Sequence, residues 1–114
     1  METELWESNN GHSPARDFIE ELDPKVQRKI VERIEELETY GLKLLQSDHL
    51  KKLSSYDIYE LRISFHKQSL RLLGVIRKQR FWILHGFNKK SRKTPLKEIK
   101  LVINRSKELD MELN

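Results

Sequence analysis

The chain has 114 residues, a net charge of +4 and no cysteine, with 37% hydrophobic and 35% charged residues. That length supports one domain, read here as residues 1–114, with one modest core. The composition excludes disulfides and thiolate chemistry, and no apolar run approaches the roughly 20 residues of a membrane-spanning helix. The opening METELWES is acidic and poor in apolar side chains, unlike a secretory signal, so the chain reads as a soluble cytoplasmic domain with no membrane partner.

Thr3 to Glu7 is expected to form a short strand, and Asn9-Asn10-Gly11 a turn. Ser13-Pro14 is a helix start, a serine N-cap followed by proline where a missing N–H costs nothing. Ala15, Phe18, Ile19 and Leu22 follow at helical spacing. Asp23-Pro24 repeats the signal. Val26, Ile30, Ile34 and Leu37 then form a second stripe, which Gly41 closes. Two helices joined so tightly predict a hairpin that needs a sheet to lie on.

Leu42 to Asp57 shows no regular period. From Ile58 the pattern alternates: Tyr59, Leu61, Ile63 and Phe65 on one face, Glu60, Arg62, Ser64 and His66 on the other. Ser69–Arg77 and Arg80–Phe87 are two further strands, joined by links short enough only for antiparallel hairpins. In the last strand His85 is expected on the face of Phe81, Ile83 and Phe87. Thr94-Pro95 reads as a third cap-plus-proline start, opening a C-terminal helix with Leu96, Ile99, Val102, Ile103 and Leu109 as its stripe. The fold class is α+β, with order β-α-α-β-β-β-α: a helical hairpin on a twisted, mainly antiparallel sheet, and a C-terminal helix.

Charge is unevenly placed along this frame. Residues 1–60 hold 14 acids and 8 bases, and residues 98–114 hold 4 and 3. Leu61 to Lys97 holds no Asp or Glu and 11 Lys or Arg. Such a segment fits a polyanion better than a generally sticky surface. Lys67, Lys78 and Arg80 fall at hairpin tips and are expected to serve solubility alone.

The four histidines show no ligand-type spacing, and no metal or other cofactor is expected. No nucleophilic triad or Gly-rich phosphate loop is present. Two-carboxylate hydrolysis would need acids in a stretch that has none. What remains is chemistry by cations on a phosphodiester. RNA carries its own nucleophile, the 2′-hydroxyl, so a protein need only align it and stabilise charge on the phosphoryl oxygens. Arg forks suit those oxygens, and a lysine crowded by cations can move protons. Arg62 and Arg71, on adjacent strands, are placed to share such a ligand. Lys89, Lys90, Arg92 and Lys93 follow the third strand towards the same end. The plainer readings are an Arg62 salt bridge to Glu60, an ordinary exposed Arg71, and a hydrogen-bonded core role for His85.

The order Ser13-Pro14, Lys52-Leu53, Tyr59-Glu60-Leu61-Arg62, Leu70-Arg71, then Leu84-His85-Gly86-Phe87-Asn88-Lys89-Lys90 and Lys93-Thr94-Pro95 resembles the RelE/ParE superfamily. Within it, the match is to the HigB-like, phage-derived branch of toxins from toxin–antitoxin pairs. The resemblance implies a RelE-like fold and a metal-independent endonuclease acting on mRNA bound in the ribosome. It also implies a cognate helix-turn-helix antitoxin. Carried over by position, Arg71 matches the arginine placed on the scissile phosphate, and Arg62 the arginine of the "ELR" strand. Lys89, Lys90 and Lys93 match the basic stretch after the last strand. Lys51 and Lys52 match RNA-contacting lysines before the sheet. The candidate catalytic set is therefore Arg62, Arg71, Lys90, Lys93 and His85, with Lys51, Lys52, Lys89 and Arg92 binding RNA. The chain departs from the family in having no Tyr or His after His85 and no glycine in Ser54-Ser55-Tyr56-Asp57.

Two other functions stay open on the residues alone. One is a ParE-like, non-enzymatic inhibitor of DNA gyrase, since one fold hosts both activities. The other is a non-catalytic RNA-binding module. The endonuclease reading rests on Arg62, Arg71, Lys89, Lys90 and Lys93 meeting on one concave wall without being locked in pairs with glutamates.

Overall fold

Ser13 and Asp23 do start helices, each with proline behind it. In a computed structural model describing residues 1–114, α1 spans Pro14–Glu20 and α2 spans Pro24–Tyr40. The Ser13 hydroxyl accepts from the Arg16 N–H at 3.3 Å, and the Asp23 carboxylate from the Lys25 N–H at 2.8 Å. The Gln27 amide donates to the carbonyls of Ile19, Glu20 and Leu22 at 2.9–3.1 Å, closing the corner between the helices. Gly41 ends α2 with φ +58°, a conformation glycine adopts without strain.

Five strands form one mixed sheet in the order β1-β5-β4-β3-β2. They are β1 (Glu2–Leu5), β2 (Leu50–Leu53), β3 (Ile58–Phe65), β4 (Gln68–Arg77) and β5 (Arg80–Asn88). The first strand starts and ends earlier than expected and pairs parallel with β5. The segment Leu42–Asp57 is not irregular. It holds most of a 3₁₀ turn, Gly41–Gln46, and β2, an edge strand antiparallel to β3. Four residues, Leu-Lys-Lys-Leu, are too few to display an alternation, and only the partner strand defines them.

The sheet is covered on both faces. On one, α1 and α2 bury Ala15, Val26, Ile30 and Leu37 against Leu61, Ile63, Leu70, Leu72, Phe81 and Ile83. On the other, α3 (Leu96–Leu113) buries Ile99, Val102 and Leu109 with Ile58, Leu73, Val75, Leu84 and Trp6. The architecture is α+β, compatible with a RelE-like fold.

The chain departs from its sequence pattern at two places beside the site. The β4–β5 register slips at Leu73/Gly74: Gly74 faces Ile83, but Leu73 faces His85. Leu84 is the extra residue of a β-bulge, which switches the side-chain phase beyond it. His85 and Phe87 therefore share the α3 face, opposite Phe81 and Ile83. At the second place, Thr94 does not cap α3. Pro95 holds the cap position with no side-chain hydrogen bond, and the Thr94 hydroxyl donates to the Glu60 carboxylate instead.

Candidate active site

Strand register gathers the site on the α3 face. Arg62 on β3 stands opposite Arg71 on β4, and Arg71 opposite Phe87 on β5. The neighbouring same-face row runs Lys51, Glu60, Leu73, His85. The Arg62 N–H donates to the His49 carbonyl at 2.8 Å, and its own carbonyl accepts from Arg33 Nη1 at 2.7 Å. Both groups thus point away from β4. Arg62 and Arg71 form a non-hydrogen-bonded cross-strand pair, the kind in which side chains come closest and like charges repel most.

Glu60 offsets that repulsion. Its side chain is 1% exposed. Arg62 Nε lies 3.1 Å from Oε2, Arg71 Nε 3.8 Å from Oε2, and Lys89 Nζ 3.9 Å from Oε1. Burial alone would push the Glu60 carboxyl up. The Thr94 hydroxyl, Lys89, Arg62 and Arg71 together overcome it and hold the group below the usual carboxylate range. Burial pulls the Lys89 ammonium down, with Glu60 opposing and Arg71, Arg62 and Lys51 adding to the fall. Arg71 is likewise lowered by burial, against Glu60 and with Arg62.

The cations are therefore not free of glutamate, as the acid-free stretch suggested. They share one carboxylate rather than pairing one to one. Three positive groups on one negative group leave a surplus beside two clefts. One, of about 470 Å³, is lined by residues including Lys51, Tyr56, Glu60, Lys89, Arg92 and Lys93. The other, of about 510 Å³, is lined by Arg33, Asp48, His49, Arg62, Ser64 and Arg71. Arg71 Nη1 donates to the Leu70 carbonyl at 2.9 Å, while its Nε is buried with no hydrogen-bond partner in the protein. That Nε faces Glu60 Oε2 from 3.8 Å, beyond hydrogen-bond reach, so Glu60 holds it by charge alone.

Other expected site residues fall elsewhere. Lys52 points to the opposite face, over the Tyr59 ring at 5.9 Å and 3.9 Å from Asp57. Lys90 is exposed and lines neither cleft. His85 lies in the seam under α3, 12% exposed. Its Nδ1 accepts from Arg105 Nη1 at 2.9 Å, which places the proton on Nε2, 3.1 Å from Glu98 Oε1. Its ring stacks on Phe87, with centroids 5.7 Å apart. Burial lowers its pKa, the Glu98 hydrogen bond opposes, and Arg105 lowers it further. Of the remaining basic residues, Arg77 pairs with Asp110 and Asp57, and Arg80 with Glu2 and Glu4. Arg80 is thus more than a solubilising tip. No three His, Cys, Asp or Glu side chains are grouped to hold a metal ion, and no helix is long and apolar enough to cross a membrane.

Sequence reasoning paired Glu60 with Arg62, as the structure does at 3.1 Å, but it missed Thr94 and Arg33. Glu60 alternates in phase with Arg62, which marked its face but not its cover. Thr94 was hidden by its cap-like place before proline. Arg33 sits on α2 with nothing in its spacing to point at β3.

Residues 17–107 match a family model described as phage derived protein Gp49-like (DUF891), a span that takes in α2, β2–β5, the clefts and most of α3. No curated protein matches the chain. With the match extending over far more than half of its residues, this chain belongs to the Gp49-like family of phage-derived proteins.

Proposed function

We propose that this Gp49-like protein is a toxin of the RelE/ParE superfamily, HigB-like branch, that cleaves messenger RNA on the ribosome. The observation that carries the reading is the placement of Arg62, Arg71 and Lys89 around a single buried carboxylate beside two clefts rich in cations. A phosphodiester entering there meets surplus positive charge already in position, which is what a transition state gaining negative charge needs.

The reaction is an internal displacement at phosphorus. The substrate's 2′-oxygen attacks phosphorus and loses its proton to a base, and the P–O5′ bond breaks. The 5′-oxygen takes up a proton, leaving a 2′,3′-cyclic phosphate and a 5′-hydroxyl. Arg62 and Arg71 hold the non-bridging oxygens. Lys89, whose ammonium is pulled down by burial and by the neighbouring Arg71, Arg62 and Lys51, is the proton carrier. Lys51, Arg92 and Lys93 track the flanking backbone, and Lys90 adds long-range attraction. A helix-turn-helix antitoxin is the expected neutralising partner.

Primer extension on ribosome-bound message tests the reading. New 5′ ends should appear with the protein, and a single 2′-deoxynucleotide at the mapped site should remove them. Cleavage surviving that substitution contradicts attack by the 2′-hydroxyl. Loss of gyrase supercoiling without new RNA ends would favour a ParE-like inhibitor instead.

A further inference from the structure

Glu60 is a costly way to stabilise a sheet. A carboxylate taken out of water loses most of its hydration, and an apolar residue of similar volume commonly serves stability as well or better. Yet this carboxylate has its side chain 1% exposed, with both oxygens occupied. Oε1 accepts from the Thr94 hydroxyl and faces Lys89, while Oε2 accepts from Arg62 Nε and faces Arg71 Nε.

The pattern of those contacts is directional. Arg62 spends only its Nε on Glu60, leaving both Nη groups for a ligand. Arg71 keeps its Nε side towards Glu60 and ties Nη1 to Leu70. Thr94 lies on the loop that follows β5, between Lys89 and α3, so its bond pins that loop to β3.

We propose that Glu60 is the positioning residue of this site. Its one carboxylate turns Arg62, Arg71 and Lys89 towards a shared phosphoryl group and fastens the 89–95 loop beside them. This rests on the endonuclease reading and adds a residue to it that makes no contact with the substrate. The charged groups facing Glu60 are Lys51 from β2, Arg62 on its own strand, Arg71 from β4 and Lys89 beyond β5. Arg92 and Lys93 line the same cleft. His85, with Glu98 and Arg105, lies past Leu73 in the same row.

The test compares the full chain with Glu60→Gln, Glu60→Asp and Thr94→Val in two assays. One is binding of a fluorescent, uncleavable 2′-O-methyl oligonucleotide at pH 6. The other is single-turnover cleavage of ribosome-bound message across pH. Glu60→Gln removes a negative charge from the cation cluster, so it should bind the oligonucleotide about three- to tenfold tighter. Its cleavage constant should fall about tenfold or more as the groups lose their aim. The limb of its pH profile set by Lys89 should move to lower pH, because Glu60 opposes the fall of that ammonium. Glu60→Asp, which keeps the charge, should bring the limb back. Thr94→Val leaves every charge in place and guards against a Gln variant that fails to fold. It should slow cleavage by more than it weakens oligonucleotide binding, because the loop carrying Arg92 and Lys93 loses one anchor but no charge.

Cleavage within twofold of the unmodified chain in Glu60→Gln or in Thr94→Val overturns the proposal. So does parallel loss of binding and cleavage in Glu60→Gln, the mark of a merely structural glutamate. If the unmodified chain cuts no message, the endonuclease reading fails separately, and the binding assay alone decides: tighter binding by Glu60→Gln sustains the counter-charge role, and weaker or equal binding ends it.

Discussion

Arg62 and Arg71 face each other at a non-hydrogen-bonded position of β3 and β4, like charges where cross-strand side chains come closest. A sheet selected for stability alone gains nothing from that pairing. Arg62→Leu removes the repulsion along with one of several partners of Glu60. Loss of the Arg62 hydrogen bond to that buried carboxylate should lower stability by about 1–3 kcal/mol in urea unfolding, offset in part by the repulsion relieved. Oligonucleotide binding should weaken, and its log–log salt slope should lose about 0.7, the share of one phosphate contact on a single strand. An unchanged slope would remove Arg62 from the interface.

Glu60 and His85 both make the fold lose stability in acid, each over its own pH window. The folded Glu60 carboxyl titrates below its ordinary 4.5, so its contribution is present above that pH and is lost as pH falls through the depressed folded value. The folded His85 imidazole titrates below its ordinary 6.5, so the unfolded chain takes up protons first as pH drops. Stability should start to decline below about pH 6.5 and stop declining from this source once the folded ring is protonated. His85→Gln should flatten urea-unfolding stability between pH 5 and 6.5, and Glu60→Gln should flatten it below 4.5. A slope unchanged in either variant assigns the acid sensitivity elsewhere.

Gly86 lies under the α1 side of β5, where an added Cβ would run into the Phe18 ring. Gly86→Ala should destabilise by about 1–3 kcal/mol through overpacking. Pairing it with Phe18→Leu should recover part of the loss, read as non-additivity in a double-mutant cycle. Strict additivity would show that the two positions do not touch.

The β4–β5 hairpin turns on Lys78 and Gln79, with φ of +53° and +65°. Positive φ at both central residues is the type I′ pattern, which Asn-Gly fits best. Lys78→Asn with Gln79→Gly should raise stability by about 1 kcal/mol, seen as a higher urea midpoint at unchanged slope.

How far the sequence carried this reading depended on what each signal measures. The Ser13-Pro14 and Asp23-Pro24 starts, the stripes of α1 and α2, and the alternation of Tyr59 to Phe65 are local, and each was legible before the fold. So was the meeting of Arg62 with Arg71, since two hairpin-linked strands leave little freedom of register. The bulge at Leu84 was not legible, because RFWILHGF is apolar in both phases and either phase buries it. It moved His85 from the hairpin side to the α3 side. β2 was hidden by its brevity. Glu60 looked like a surface partner of Arg62 because nothing near it in sequence announces Thr94 and Lys89, about 30 residues on, as its cover. Lys51-Lys52 reads in the sequence as one basic motif, but adjacent strand residues point to opposite faces.

The most direct test is single-turnover cleavage of ribosome-bound message by the unmodified chain and by Arg71→Ala, with both shown folded by circular dichroism and urea unfolding. The account predicts that the folded variant loses about 100-fold or more in cleavage constant, the scale on which removing one transition-state donor acts. A folded Arg71→Ala protein that cuts within a few-fold of the unmodified chain would contradict it.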